Sequence, residues 1–285
     1  MVNNNKVIWY MNGIFVNPDK AFISVSDLGF QRGWGVFDYL RTYNHQPFCL
    51  EEHLNRLFRS AKSTFIKPPV SKTQLWGIVD QLISKNDRNF KEEMGIKLIL
   101  AAGTSSDGVS PTDRPALVIM ILPIVPSPKS YYKLGIKLAL SKRGRTQPTT
   151  KSIDYLSAML AMSEAKKRGF NDALFIGDRD QIFEATRSNF FLFHDNKLIT
   201  PKRDILLGIT RALVIRLAKE QGFPILERDI FFSQLDEADE AFITNTSQEV
   251  VPVTRVENKI IGSGKVGART KCLIKAFQEM TNLKK

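Results

Sequence analysis

Between Pro123 and Gly135 the chain gives up its apolar periodicity. Prolines at 123, 126 and 128 stop helices and remove strand donors, and few small flexible residues accompany them, so the stretch reads as a connection between domains. The 285 residues suffice for two domains of the common ~100–150 residue size. The expected organisation is a small N-terminal domain over 1–122, a linker over 123–135 and a larger C-terminal domain over 136–285.

In the first half, Val7–Tyr10 and Ile14–Val16 flank Asn12-Gly13, the strongest short hairpin signal. Val25–Gly35 holds three glycines in seven residues and reads as a loop that lets backbone approach a ligand or another chain. A strand follows over Val36–Tyr43, whose period-two alternation puts Phe37, Tyr39 and Arg41 on one face. Leu50–Thr64 reads as a helix with His53 and Arg56 at the margin of its apolar stripe, and Ser71 caps a second helix. Gly95–Ala101 and Ala116–Leu122 read as buried strands. Lys97 stands within the first, where it either reaches out at an edge or faces an anion.

The second half opens with a strand at Ile136–Leu140, followed by a helix after Lys151 that ends at Gly169. Ala173–Gly177, Gln181–Glu184 and Asn189–Phe193 read as short strands. Further helices start near Leu207 and Gly267, and Ala241–Thr244 is a strand before the polar turn Asn245–Gln248. Strands and helices interleave in both halves without regular βαβ spacing, so the expected class is α+β, not a doubly wound sheet. Gly29, Gly33 and Gly35 have the wrong spacing for a dinucleotide fingerprint.

Composition narrows the function. Lys and Arg number 41 against 29 Asp and Glu, a net charge of +12, which favours anionic ligands. The basic residues are scattered and the aromatics sit in strand runs, so nucleic acid is not the expected partner. Two cysteines without CxxC spacing exclude a disulfide framework, and three dispersed histidines give no metal cluster. Met1–Lys6 lacks the pattern of a secretory leader, and the longest apolar run falls far short of the ~20 residues that span a bilayer. The expectation is a soluble, cytoplasmic protein.

A phosphate-bearing aldehyde cofactor needs an amine, a phosphate cradle and a carboxylate for its ring nitrogen, and each has a candidate. Lys151 supplies the amine, which must be partly neutral to react. Gly208, Ile209 and Thr210 at a helix start offer backbone N–H groups and a hydroxyl. Thr246 and Ser247 offer more, and Arg56 is suited to bidentate contact. Glu184 in a mostly apolar strand suits a pyridinium nitrogen. Taken singly, the same residues also suit a capped helix, a solvated margin, a satisfied turn and a sheet-edge carboxylate.

Their order settles more than any one of them. Gly33-Trp34-Gly35-Val36-Phe37-Asp38, Leu50 to Leu57 with His53 and Arg56, Lys151 with Tyr155, Glu184 with Asn189, Leu206 to Arg211, and Ala238 to Thr246 follow one another as in a known family. From about Ile8 to Phe277 the chain resembles the class IV aminotransferases, the fold type IV pyridoxal-phosphate enzymes. These include branched-chain aminotransferases, D-amino-acid transaminases and aminodeoxychorismate lyases. The resemblance implies a two-domain α+β fold with the cofactor between the domains, in a homodimer that shares loops between active sites. It implies that Lys151 carries pyridoxal 5'-phosphate as a Schiff base and Glu184 faces the ring nitrogen. Arg56, Ile209, Thr210 and Thr246 hold the phosphate, with Ser247 beside them; Leu206 packs beneath the ring, and Tyr155 reaches the phenolate oxygen.

Substrate selection is where the chain departs from its relatives. The loop Thr104–Val109 lacks the Arg-x-His pair of D-amino-acid transaminases, and Lys97 stands where branched-chain enzymes have an arginine. The expected carboxylate ligands are Lys97 and Arg32, the latter from a neighbouring subunit, with Phe37 and Val109 also at the substrate. Amino acid and 2-oxo acid are the expected partners in a ping-pong transamination of D-amino-acid or branched-chain type, with lyase chemistry on aminodeoxychorismate as the alternative. The loop Gln31–Gly35 leans to the first pattern, and Lys97 with Gly108-Val109 leans to the second. Arg187 acquires no role beyond a phosphate or carboxylate contact.

Overall fold

The computed structural model describes residues 7–282, so the Met1–Lys6 stretch read for a leader lies outside the described residues. The chain forms two compact units. The first runs to Val125 and also takes in Thr150–Asp154; the second comprises Pro126–Thr149 and Tyr155 onward. Lys151 therefore groups with the first unit, whereas the sequence put it with the larger C-terminal domain. Backbone pairing is the reason: Phe37 N donates to Lys151 O at 2.8 Å, Ile153 N donates to Gly35 O at 3.0 Å, and Ser152 forms an antiparallel bridge with Val36.

The elements of the first unit are β1 (Trp9–Met11), β2 (Ile14–Val16), α1 (Leu28–Arg32), β3 (Gly35–Tyr43), β4 (Gln46–Pro47), α2 (Leu50–Ser63), α3 (Lys72–Asn86), β5 (Met94–Ala101) and β6 (Ala116–Pro123). The strands make one sheet in the order β2-β1-β6-β5-β3-β4. Asn12 and Gly13 have φ of 48° and 100°, as the tight β1–β2 turn demands. The stretch read as a glycine-rich loop contains α1, too short to show a period, which is capped by the Asp27 side chain and ended by Gly33 at φ 68°. On β3, Val36, Leu40 and Thr42 are fully buried and Phe37, Tyr39, Arg41 and Tyr43 are half-buried on the other face. Val36 and Leu40 pack with Leu54 and Leu57 of α2 and Leu82 of α3 into a single core, so two helices cover one face of the sheet and leave the Phe37 face open.

The second unit comprises α4 (Lys129–Leu134), β7 (Ile136–Ser141), α5 (Leu156–Lys167), β8 (Asp172–Ile176), β9 (Gln181–Ala185), β10 (Asn189–His194), β11 (Lys197–Thr200), α6 (Ile209–Glu220), β12 (Ile225–Glu227), β13 (Ile230–Phe231), β14 (Glu240–Asn245), β15 (Glu249–Val256), β16 (Lys259–Ile260) and α7 (Ala268–Asn282). The stretch expected as a plain linker thus contains the end of β6 and all of α4. The strand order is β12-β11-β10-β14-β15-β7-β8-β9-β13. β9 also pairs with β10 through Glu184 and Asn189, which closes β10, β14, β15, β7, β8 and β9 into a ring. Its apolar filling includes Leu138, Leu174, Ile182, Phe190, Ile243 and Val251. Ala158, Ala161 and Ala165 of α5 pack on Ala173 and Phe175 of β8, small residues that bring helix and sheet close.

Candidate active site

In the first unit the site begins with the seating of Lys151 on β3. Its backbone N donates to Ser60 Oγ at 3.2 Å, and the neighbouring Thr150 hydroxyl meets Ser63 Oγ at 2.9 Å. A Cβ on Gly35 would meet Ile153 Cδ1 at 2.6 Å, so the glycine admits the chain's own lysine segment. Lys151 Nζ then stands 4.6 Å from the Phe37 ring centroid, and Lys97 Nζ stands 5.3 Å from the same ring. Burial pushes the Lys97 ammonium below its ordinary pKa, in keeping with its half-buried place on β5. The structure thus brings Lys151, Phe37 and Lys97 together on the open face.

On the covered face lies a group the sequence reading left out. Asp38 is fully buried, and Arg56 binds it bidentately, Nε to Oδ2 at 2.8 Å and Nη2 to Oδ1 at 2.8 Å. His53 Nδ1 lies 2.7 Å from Oδ1, which also accepts from Tyr39 N. Burial works to raise the Asp38 pKa, but the Arg56 and His53 interactions outweigh it and hold the carboxyl well below the usual range. The fork of Arg56 expected to grip phosphate is therefore engaged with Asp38, and Nη1 is the nitrogen that these bonds leave over. The period-two rule held the signal for Asp38: it shares a face with Val36 and Leu40, where a carboxylate requires a buried cation.

Arg32 and Val109 do not join Lys97 within the chain. Arg32 is exposed, with Nε facing Gly108 O at 3.4 Å. Val109 is 69% exposed, its N–H bound to Asp107 in a loop turn.

The second unit carries the carboxylate. Glu184 is buried; Oε2 accepts from Leu206 N at 3.1 Å and from Asn189 Nδ2 at 3.2 Å, while Arg145 Nη1 donates to Oε1 at 3.1 Å. Asn189 Nδ2 also donates to Leu206 O at 2.7 Å, so one amide fixes both the glutamate and the leucine expected beneath a ring. Arg145 was not foreseen, because the polar run from Lys142 to Gln147 has no period to read. Its guanidinium also lies 6.0 Å from the ring of Tyr155, which is half-buried at the start of α5.

Helix α6 begins at Ile209 with Gly208 at its N-cap and no side-chain cap, so its first N–H groups remain available to an anion. A Cβ on Gly208 would meet Asn189 Oδ1 at 2.2 Å, which explains the glycine. Thr210 is buried in the first turn. In the Asn245–Gln248 turn, Ser247 N and Oγ both donate to Asn245 Oδ1. Those groups are engaged within the turn, which leaves Thr246 as its open hydroxyl. Thr244 Oγ1, opposite Asn189 in the β10–β14 register, is buried with no partner among the described residues. Burial raises the pKa of the Asp172 carboxyl, and Arg187, which is exposed, works to lower it.

Comparison with known proteins identifies the family. The family model for amino-transferase class IV matches residues 35–256. A putative branched-chain-amino-acid aminotransferase of Methanocaldococcus jannaschii is 33% identical over 277 residues, 95% of each chain. A D-alanine aminotransferase of Listeria monocytogenes is 30% identical, covering 94% of each. The branched-chain amino acid aminotransferase of Escherichia coli superposes with a TM-score of 0.90 at 28% identity, over 97% of this chain and 95% of that one. A family match over most of the length, relatives aligned end to end and a fold shared with a solved transaminase lead to one conclusion: the chain belongs to the class IV aminotransferases.

Proposed function

We propose that the protein transfers the amino group of branched-chain L-amino acids to a 2-oxo acid, with pyridoxal 5'-phosphate as cofactor and Lys151 as its anchor. The observation that carries this reading is the pair of amines, Lys151 and Lys97, set over the Phe37 ring at 4.6 and 5.3 Å. One serves as nucleophile and proton carrier, and the other meets the substrate carboxylate.

The residues present suit the cofactor. An uncapped helix start, the hydroxyls of Thr210 and Thr246 and the remaining nitrogen of Arg56 are donors of the kind a phosphate dianion takes. The unpartnered Thr244 hydroxyl beside Asn189 adds a donor near Glu184. When bound, the cofactor supplies an electron sink for charge developing at the substrate α-carbon. Glu184, fixed by Arg145, Asn189 and Leu206, would hold a carboxylate for the ring nitrogen. Leu206 and Tyr155 would hold the ring. Lys151 Nζ would take the α-proton and return it, a general base and then a general acid.

A branched-chain donor is favoured by Lys97 on β5, by a Thr104–Val109 loop without an Arg-x-His pair, and by the Methanocaldococcus jannaschii relative. Phe22, Val25 and Phe30 are 77%, 76% and 73% exposed, which supports a homodimer in which such apolar surface is covered and Arg32 serves a neighbouring site.

Borohydride treatment of the cofactor-loaded protein, followed by peptide mapping, should label Lys151; a label elsewhere, or none, rejects the reading. Separate incubation with L-leucine, D-alanine and aminodeoxychorismate should convert the bound cofactor to its amine form with L-leucine. Conversion by D-alanine alone would move the protein to the D-specific branch, and release of an aromatic product would make it a lyase.

A further inference from the structure

The Asp38–Arg56–His53 cluster presents a charge problem to any phosphate bound there. Asp38 and Arg56 cancel one another at 2.8 Å, so the arginine that should attract a dianion is already neutralised. Three charged or titratable groups face His53: Asp38 from β3, Arg56 from α2, and Lys151 from the segment paired to β3. Arg56 does not lose its proton in proteins, and Asp38 is held ionised by its partners. Lys151 is committed to the aldehyde form of the cofactor, and with an amine-form ligand its protonation is told from that of His53 by the imidazole signal itself. His53 is the one facing group left to adjust its charge near neutrality.

Geometry equips it to do so. His53 is 1% exposed, and its Nδ1–H is directed at Asp38 Oδ1, 2.7 Å away, with Arg56 Nη2 3.4 Å from the same nitrogen. That tautomer leaves the lone pair on Nε2. Nε2 is bonded to no described residue and is not among the sealed, unpartnered buried atoms. Burial pushes the imidazole below its ordinary pKa against the pull of Asp38, with Arg56 and Lys151 adding to the push, so the ring is neutral before a ligand arrives.

We propose that His53 completes the phosphate site by accepting a proton at Nε2 from the buffer when a phosphate dianion binds beside Arg56, so that phosphate binding is coupled to proton uptake. One N–H bond forms, and the cluster passes from formal neutrality to a charge of plus one, which the dianion stabilises. The inference rests on the reading of Arg56 as a phosphate ligand.

Pyridoxamine 5'-phosphate is the probe, since it has no aldehyde to react with Lys151. The chain has three histidines, so ring-nitrogen NMR of the full-length protein resolves His53 directly. Between pH 6.5 and 7.5, values taken as roughly the range around an ordinary imidazole pKa, His53 should show neutral-ring shifts without the probe and imidazolium shifts with it. A ring that keeps one state throughout overturns the proposal. Calorimetry in two buffers of different ionisation heat should give net proton uptake by the parent, with affinity falling by up to about tenfold per pH unit where the free His53 ring is neutral and the bound ring still protonated. His53→Asn, which keeps a donor towards Asp38, should lose that uptake; equal uptake in the variant overturns the proposal. A parent that binds no probe rejects the cofactor reading itself, and is told apart from a parent that binds it without a change at His53.

Discussion

Arg145 and Glu184 form an ion pair buried on both sides, 3.1 Å from Nη1 to Oε1, with side chains 8% and 6% exposed. Removing one partner of such a pair leaves a charge in low dielectric, which costs about 3–5 kcal/mol. Arg145→Met should therefore lower the thermal midpoint of the cofactor-free protein and slow the half-reaction with L-leucine. Arg145→Lys keeps the charge without the planar fork and should fall between the two. Calorimetric scans and single-turnover spectra measure both effects, and a variant as stable and as fast as the parent would remove Arg145 from this role.

Asp38 sets an acid limit on stability. Its folded pKa lies below the unfolded value of ~3.9. Its contribution is thus fully present above that value and is lost as pH falls from ~3.9 towards the folded pKa. Asp38→Asn should lower stability at neutral pH by several kcal/mol, on the order of a broken buried pair, and should flatten the decline in acid. Urea unfolding at a series of pH values gives the slope, and parallel curves for parent and variant would contradict the assignment.

Lys97→Ala should raise the KM for the amino donor by tenfold or more, the loss of about 1.5–3 kcal/mol from one charge-assisted bond, while changing pyridoxamine 5'-phosphate affinity much less. Because burial lowers the Lys97 pKa, the KM of the parent should begin to rise with pH below the ordinary lysine range. Initial rates from neutral to alkaline pH test both statements, and equal KM values in variant and parent reject the carboxylate role.

Gly208→Ala places a Cβ 2.2 Å from Asn189 Oδ1. Asn189 must then move, which loosens Glu184 and Leu206 together. Overpacking of this kind costs ~1–3 kcal/mol, and cofactor affinity should fall with it. A fluorescence titration of the variant with pyridoxamine 5'-phosphate measures the loss; unchanged affinity would show that the Asn189 bridge is dispensable.

Local chemistry was legible in the sequence wherever short-range rules decide it. The Ser71 cap forms a full capping box with Gln74, the Asn12-Gly13 turn is where the hairpin bends, and α5 follows Lys151. β15 escaped because Pro252 sits within it, and proline argues against a strand that pairs on both sides, as β15 does with β14 and β7. The candidate residues could be named from the sequence, but the hydrogen bonds that hold them could not. Asp38 lies 15 and 18 residues from His53 and Arg56, and Arg145 lies 39 from Glu184, separations that no periodicity spans.

The peptide crosses from one unit to the other three times, after Val125, after Thr149 and after Asp154. A gene cut at the first crossing would not yield two self-sufficient halves. The leading fragment would retain β3 and Ser60 but lack the five residues that dock on them. The trailing fragment would carry Lys151 on a tether stripped of its seat. A cut at that point therefore separates Lys151 from the residues that its segment pairs with, although all of them belong to one unit.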